Sequence, residues 1–462
     1  MKPICSILIG GMKRQVSFVV LILLISAVGL QAQSVYDSLN KLSESIGSGS
    51  GRNTGLTAFP TLTIPFGGEY EAMGTAYTAV GRDSSYFDAN PASSATLDYT
   101  ELSLLHNNLI ADANLEGMIY TMRFENLGLG AGGKLFHVPF TEYDIMGYQQ
   151  QSFRYGEFVG GVNVSYNFLH SFNFHGIAVG ANLKTAYRSI PSSIEPGQSG
   201  FGVMGDLGVL TRFDFLKPYP ARDRNFSVGA TLRNFGPPVK DDPLPTSLRA
   251  GIAYKPLRPV LLSFDLGKPV RFFSDKPVPG FEWASGISVA VTDFFGAQAG
   301  FHLKGGNPRF SLGSRVDLDN VRLHFNYTLD MTTQVSSVDR FSIQAGLNFG
   351  DRGRFEKQER VEEYYLDALV AFADGNIEKT IELCNAALEL DPTFQPAQET
   401  KETAQRMQRL QSEMESIRLG EQLQRIEGTA NGSGGNSSQS EGGPSSEDQT
   451  PETQSEPSEP ES

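Results

Sequence analysis

The sequence predicts an all-β transmembrane barrel of about fourteen antiparallel strands, with an N-terminal hatch ahead of it and a helical extension behind. Three observations predict it. The chain opens with an export signal. Beyond that signal no apolar run approaches the roughly 18 residues that a spanning helix needs. Between Thr96 and Phe349, apolar and polar residues alternate with period two in one stretch after another. A closed barrel is the one sheet that crosses a bilayer with every backbone group paired. A periplasmic sandwich would also alternate, but the number and length of the stretches favour the barrel.

Composition narrows the field further. The chain has 462 residues, 49 of them glycine, and a formal net charge of −14. This glycine share exceeds the usual ~7 % without any collagen-like period. An acidic balance argues against a nucleic-acid partner, since such affinity rests on Lys and Arg meeting phosphates. Cys5 and Cys384 are too few for a disulfide scaffold and too far apart for a CxxC motif.

Residues 1–32 read as a signal peptide. Lys2, Lys13 and Arg14 precede the apolar run Val16–Leu30, and Ala32 stands at a plausible cleavage point. Residues 33–95 form a second unit. Leu39, Leu42 and Ile46 share one face of a short helix, 47–55 is a Gly/Ser linker, and 66–94 packs small residues around Met73, Tyr77 and Phe87. Residues 96–349 are the barrel. Over 158–168, Phe158, Val162, Val164, Tyr166 and Phe168 oppose Val159, Asn163, Ser165 and Asn167. Val321, Leu323, Phe325, Tyr327 and Leu329 likewise oppose Arg322, His324, Asn326, Thr328 and Asp330. Strands are expected near 96–105, 114–124, 127–137, 155–168, 174–187, 201–213, 225–234, 247–254, 259–267, 283–292, 295–304, 309–318, 320–329 and 340–349. Each is about the ~9–11 residues a tilted strand needs, and an even total suits a single-chain bacterial barrel. Aromatics near strand ends, such as Phe124, Phe168, Tyr187, Phe213, Phe294 and Phe349, suit interfacial girdles.

After Phe349 the period becomes helical. Residues 360–390 read as two helices broken at Asp374-Gly375-Asn376, and 396–426 as a third with Met407, Leu410, Met414 and Ile417 at 3–4–3 spacing. An even strand count places both barrel ends on the periplasmic side, so 350–427 are expected there. Residues 428–462 are acidic, rich in Gly, Ser and Pro, and too poor in apolar side chains to fold.

The run Gly68-Glu69-Tyr70-Glu71-Ala72-Met73-Gly74-Thr75-Ala76-Tyr77 leads through Asp83 to Asn90-Pro91-Ala92. It resembles the N-terminal hatch of FadL-type outer-membrane transporters for long-chain fatty acids and other hydrophobic compounds. It is also similar to a PorV-like branch and to an uncharacterised spirochaetal family of FadL-like proteins. Ser93-Ser94 stand where the family has Gly-Leu. The resemblance implies a plugged barrel that moves apolar ligands, with Gly68, Met73, Gly74, Ala76, Asp83, Asn90, Pro91 and Ala92 in the hatch. Small residues let backbone pack inside a narrow barrel, and Pro91 removes a donor that would need a partner.

Gly128, Gly130 and Gly133 make a formal GxGxxG, but Lys134-Leu135-Phe136 follows, which is no helix start. Glycine in a strand marks a bend or a close backbone approach. The resemblance implies that Gly128, Gly130, Gly132 and Gly133 on the third strand open the wall sideways. Packing of a glycine-lined strand against the hatch is the alternative. Phe341, Ile343, Leu347 and Phe349 resemble the final-strand signal read by the barrel-assembly machinery. Tyr364, Ala368, Gly375, Ala387 and Pro392 look like one tetratricopeptide repeat, which cannot bury both its faces alone. A periplasmic protein partner through 350–427 is therefore a second expectation.

The sequence holds no HExxH, GxSxG, P-loop or CxxC, and its six histidines are scattered. No catalysis, cofactor or metal is expected. The expected function is passage of hydrophobic small molecules, foremost long-chain fatty acids, across the outer membrane. Its rival is an anchor or scaffold of the PorV-like kind.

Overall fold

The computed structural model describes residues 57–431, apart from 111, 193–195, 221–223, 274–277, 279, 305–306 and 331–337. The expected signal peptide, the helix around Leu42 and nearly all of the acidic tail lie outside the described residues.

The described chain begins as a plug without regular period. A 3-10 turn at Pro60–Thr63 is followed by two short helices, α1 (Gly68–Ala72) and α2 (Tyr86–Ala89), and a 3-10 segment at Pro91–Thr96. Almost every side chain from Phe66 to Leu97 is buried.

Fourteen strands then close into one antiparallel barrel. They are β1 (Glu101–Asn108), β2 (Asn114–Phe124), β3 (Leu127–Tyr143), β4 (Gln149–Phe168), β5 (Ile177–Ser189), β6 (Gly200–Phe213) and β7 (Phe226–Phe235). The second half is β8 (Ser247–Leu257), β9 (Val260–Pro269), β10 (Glu282–Ala290), β11 (Phe295–Lys304), β12 (Asn307–Leu318), β13 (Val321–Asp330) and β14 (Val338–Asn348). β1 pairs with β14 from Glu101–Asn348 to Asn108–Phe341, which closes the ring. The first strand starts at Glu101 and not near 96, because Pro91 sets a 3-10 turn that carries Leu97 into the plug core.

Alternation in the sequence becomes two faces of the wall. Outward side chains are apolar and bare, with Met118 at 56 %, Leu183 at 58 % and Leu312 at 57 % exposure. Inward ones such as Asn163, Ser165, Asn182, Asn326 and Gln344 are polar and buried. An apolar band around a closed sheet is what hydrocarbon requires of a barrel exterior. Among the described residues, no helix is long and apolar enough to cross a membrane. Phe124, Phe168, Tyr187, Phe213, Phe294 and Phe349 all face outward.

The end that holds both termini, called the base below, is trimmed by two-residue turns at Glu125-Asn126, Arg258-Pro259 and Asp319-Asn320. At the opposite rim, β3 and β4 run on for 17 and 20 residues, well past the wall.

Three helices follow: α3 (Arg354–Ala373), α4 (Ile377–Leu390) and α5 (Gln395–Asn431). α5 continues four residues beyond the boundary expected at 427. Val361, Ala368, Cys384, Ala387 and Phe394 form their core, with Tyr364 packed on its edge. Gly375, at φ +77°, turns the chain between α3 and α4, and Asn376 caps α4 by accepting from the Lys379 N–H at 3.2 Å. Pro392 lies in the turn before α5.

The plugged lumen as candidate functional site

The plug fits because the wall lacks side chains where it passes. Inward positions carry Gly128 on β3, Gly180 on β5, Gly208 on β6, Gly229 on β7, Gly251 on β8, Gly286 on β10, Gly300 on β11 and Gly313 on β12. Gly180 and Gly208 are direct partners across β5 and β6, as are Gly286 and Gly300 across β10 and β11. Together they form a girdle, and each faces a stretch of plug backbone or a plug side chain, with Asp265 also packed against Gly251. The tightest approach of backbone to backbone is Gly74, held at φ +61°, against Gly300, whose added Cβ would lie 2.0 Å from the Gly74 nitrogen. A Cβ on Gly74 would lie 2.5 Å from the Phe301 nitrogen.

Charged groups sit where plug meets wall. The Asp265 carboxylate on β9 accepts from the Tyr77 N–H at 3.1 Å and the Thr78 N–H at 2.9 Å. Lys134 on β3 donates to Asp88 at 2.8 Å, to the Ile64 carbonyl at 2.8 Å and to the Thr61 carbonyl at 3.1 Å. Lys184 on β5 lies between Asp206 at 2.6 Å and Asp88 at 3.8 Å. Glu71 accepts from Ser342 at 2.7 Å and pairs with Arg340 at 2.7 Å. Ions this deeply buried persist only when paired, so these contacts fix the plug's seat.

The residues expected from sequence in the hatch gather here. Asn90 donates to the Thr78 carbonyl at 2.7 Å and to the Val209 carbonyl at 3.1 Å, and accepts from the Ala92 N–H at 3.1 Å. Pro91 opens the 3-10 segment, and its carbonyl accepts from Asn163 at 3.1 Å. Asp83 accepts from the Ser85 N–H at 3.0 Å and the Glu69 N–H at 3.4 Å. The Gly68 carbonyl accepts from Asn326 at 3.1 Å. Met73, Ala76 and Ala92 are fully buried. Ser94 bonds Asn163 and Ser165, both at 2.5 Å.

The third-strand glycines lie in an unbroken ladder, paired to β2 through Asn114–His137 and to β4 through Leu127–Tyr166 and onward. Gly128 faces the Ser94-Ala95 backbone and Gly130 faces the Tyr86 hydroxyl, while Gly132 and Gly133 abut neighbouring strands. Phe341 and Phe349 are exposed on the outer face of β14 and just beyond it. Ile343 and Leu347 are half-buried on the same face. His170 and His175 share the β4–β5 loop with ring centroids 6.0 Å apart.

Two cavities lie at the ends of the plug. The one toward the rim, about 90 Å³, is lined by Tyr70, Asp88, Arg233, Glu282 and Lys304 among others. The larger, about 760 Å³, lies at the base between the plug floor (Val80 to Arg82, Thr96 to Asp98) and the helices, and is called the chamber below. Its lid is pinned by Phe394 edge-on to Phe172 with centroids 5.2 Å apart, by Asn173 donating to Gln395 at 2.7 Å, and by Lys357 on Glu125 at 3.0 Å. A continuous cluster of buried apolar residues, including Tyr70, Met73, Tyr77, Val80, Ala253 and Leu261, joins the two ends. Tyr70 borders the rim cavity, and Val80, Ala253 and Leu261 border the chamber.

Sequence reasoning missed the girdle beyond β3 and the wall charges Lys134, Lys184, Asp206 and Asp265. The usable signal was glycine recurring in the inward phase of strand after strand, as at Gly180, Gly208 and Gly229.

A family model described as "Uncharacterised protein family (UPF0164)" matches residues 34–350. A "UPF0164 protein" of Treponema pallidum (strain Nichols) is 28 % identical over 413 residues, covering 86 % of this chain and 93 % of its own. Another from the same organism is 25 % identical over 379 residues, covering 76 % and 75 %. Among solved structures, a "TodX monoaromatic hydrocarbon channel deltaS2 mutant" matches 63 % of this chain and 100 % of its own at 14 % identity, with a TM-score of 0.43. A "KdgM porin" matches 54 % and 99 % at 11 % identity, with a TM-score of 0.28.

Proposed function

The chain belongs to the UPF0164 family, and we propose that its plugged barrel is an outer-membrane channel that takes up hydrophobic small molecules, with long-chain fatty acids foremost. The observation that carries this reading is the apolar seam between plug and wall, from Tyr70 at the rim cavity to Val80, Ala253 and Leu261 at the chamber. An apolar solute is drawn along such a seam by leaving water, at about 25 cal/mol per Å² of surface buried. No nucleotide is required. The plug is otherwise held by hydrogen bonds and ion pairs. A hydrogen bond exchanged for one to water costs only about 0.5–1.5 kcal/mol net, so plug segments away from the buried ion pairs can shift while Lys134–Asp88 and Glu71–Arg340 keep the seat.

A sideways exit through Gly128, Gly130, Gly132 and Gly133 is the finer part of the proposal, and it requires the β3 ladders to part. Cells that express the protein and lack other uptake should retain labelled oleate saturably. Val80→Asp, which puts a charge in the seam, should cut retention at least tenfold. Retention no better than empty vector, with the folded barrel present in the outer membrane, would overturn the reading.

A second reading, the anchor or scaffold, is favoured by one feature. The helices leave Leu366, Val370, Met407, Leu410, Met414 and Ile417 exposed, more apolar surface than a helical hairpin needs to show. Loss of a co-purifying periplasmic protein on deleting 350–431, with oleate retention intact, would assign that role to the helices and leave transport to the barrel.

A further inference from the structure

We propose that the chamber beneath the plug is a binding site for small organic anions bearing carboxylate or phosphate groups, gripped between Arg123 of the barrel and Arg354 of the helical lid.

The argument begins at one oxygen. Arg123 donates from Nη1 to the Leu97 carbonyl at 3.0 Å, and Arg354 donates from Nη2 to the same carbonyl at 3.3 Å. Their other contacts are also main-chain carbonyls: Glu125 at 2.5 Å for Arg123, and Asp351 at 3.0 Å together with Asp98 for Arg354. Neither is in ion-pair contact with a carboxylate among the described residues. Two guanidinium charges are thus brought together on a neutral acceptor. Like charges at such range repel. An anion between them reverses the sign of that term.

The surroundings share the bias. Seven cationic side chains line the chamber against four carboxylates (Asp98, Glu125, Glu362 and Asp391), and Glu125 is engaged by Lys357. Arg212 points in from β6 and donates to the Val80 and Gly81 carbonyls, both at 3.1 Å. Two histidines also line the chamber. His175 is pushed down to about 3, first by burial and then by Arg212, His170, Arg123 and Arg224. His170 is lowered by burial and by Arg123. Both are therefore neutral donors or acceptors at ordinary pH.

Size and chemistry set the ligand class. About 760 Å³ falls within the ~300–1,000 Å³ usual for small-molecule sites. Guanidinium forks match carboxylate and phosphate oxygens in pairs. Phe172 and Phe394 supply an apolar wall for a carbon skeleton. The site exists only when the lid is docked, because Arg354 comes from α3 and Arg123 from β2.

The test uses the full-length protein in nonionic detergent, titrated calorimetrically with citrate, inorganic phosphate and glycerol. Citrate or phosphate should bind saturably, weaken with added NaCl, and lose at least tenfold in affinity in Arg354→Gln. Glycerol should give no binding. A preference for citrate would assign carboxylates, and a preference for phosphate would assign phosphorylated solutes. Arg123→Gln is the second variant, scored only if its unheated band migrates as a folded barrel. Arg354→Gln lies outside the wall and keeps the test open if that barrel fails. No saturable binding by either anion, or binding that both variants leave unchanged, would overturn the proposal.

Discussion

Asn90 makes three of the plug's connections with one short side chain, two as donor to Thr78 and Val209 and one as acceptor from Ala92. Asn90→Ala should destabilise the seated plug by about 2–4 kcal/mol, at ~1 kcal/mol per buried bond with a further cost for carbonyls left bare. Hydrogen exchange should show it as faster exchange over residues 70–97 with the strands unchanged. Lys134 offers a sharper case, since removing one partner of a buried pair leaves the other charge stranded. Lys134→Met should cost about 3–5 kcal/mol in urea unfolding, and Lys134→Met with Asp88→Ala should recover part of that. Of these residues, Asn90 was legible because it stands in a local motif with Pro91 and Ala92. Lys134, Asp206 and Asp265 were not. A charge on the inward phase of a strand reads as lumen lining, and its partner lies far away in sequence, 188 residues from Tyr77 to Asp265.

At the scale of the element, period two settled almost everything about the wall. The two faces read off 158–168 are those of β4, with Val162, Val164 and Tyr166 bare on the outside and Asn163, Ser165 and Asn167 buried within. Strand ends were harder to read. β3 and β4 continue past the wall to Tyr143 and from Gln149, where both faces meet water and polar residues fall on each. The inward glycines yield the strongest prediction here. Gly300→Val should displace Gly74 and with it the plug, because the added carbons fall on the Met73 and Gly74 backbone. In planar bilayers the variant should conduct ions at least tenfold more than the parent, while its unheated band still migrates as a folded barrel. Gly156→Ala on β4, whose Cβ would meet little, should conduct like the parent. The helical elements were legible from their spacing and from the Gly375 break. How they dock could not be read, because Phe172, Asn173 and Glu125 reach Phe394, Gln395 and Lys357 across more than 200 residues of chain.

For the molecule as a whole, the plug sits inside the wall and the lid covers its base, and their order in the sequence is their order of synthesis. Deleting 350–431 should leave a barrel of unchanged heat-modifiability that has lost its chamber, so citrate binding should vanish while oleate retention persists. If both vanish, lid and channel act as one device. That order also bears on how the ring can close. The final strand pairs with β1 on one side, and on its inner face Ser342 donates to Glu71 and Gln344 to Ser84 at 3.3 Å. Ser84 in turn donates to Ser103 of β1 at 2.6 Å. The two strands that must find each other last are thus both bonded to a segment made before either of them. The plug is a mandrel as well as a stopper. A chain without residues 57–97 should still form hairpins, but it would have to join β1 to β14 around empty space.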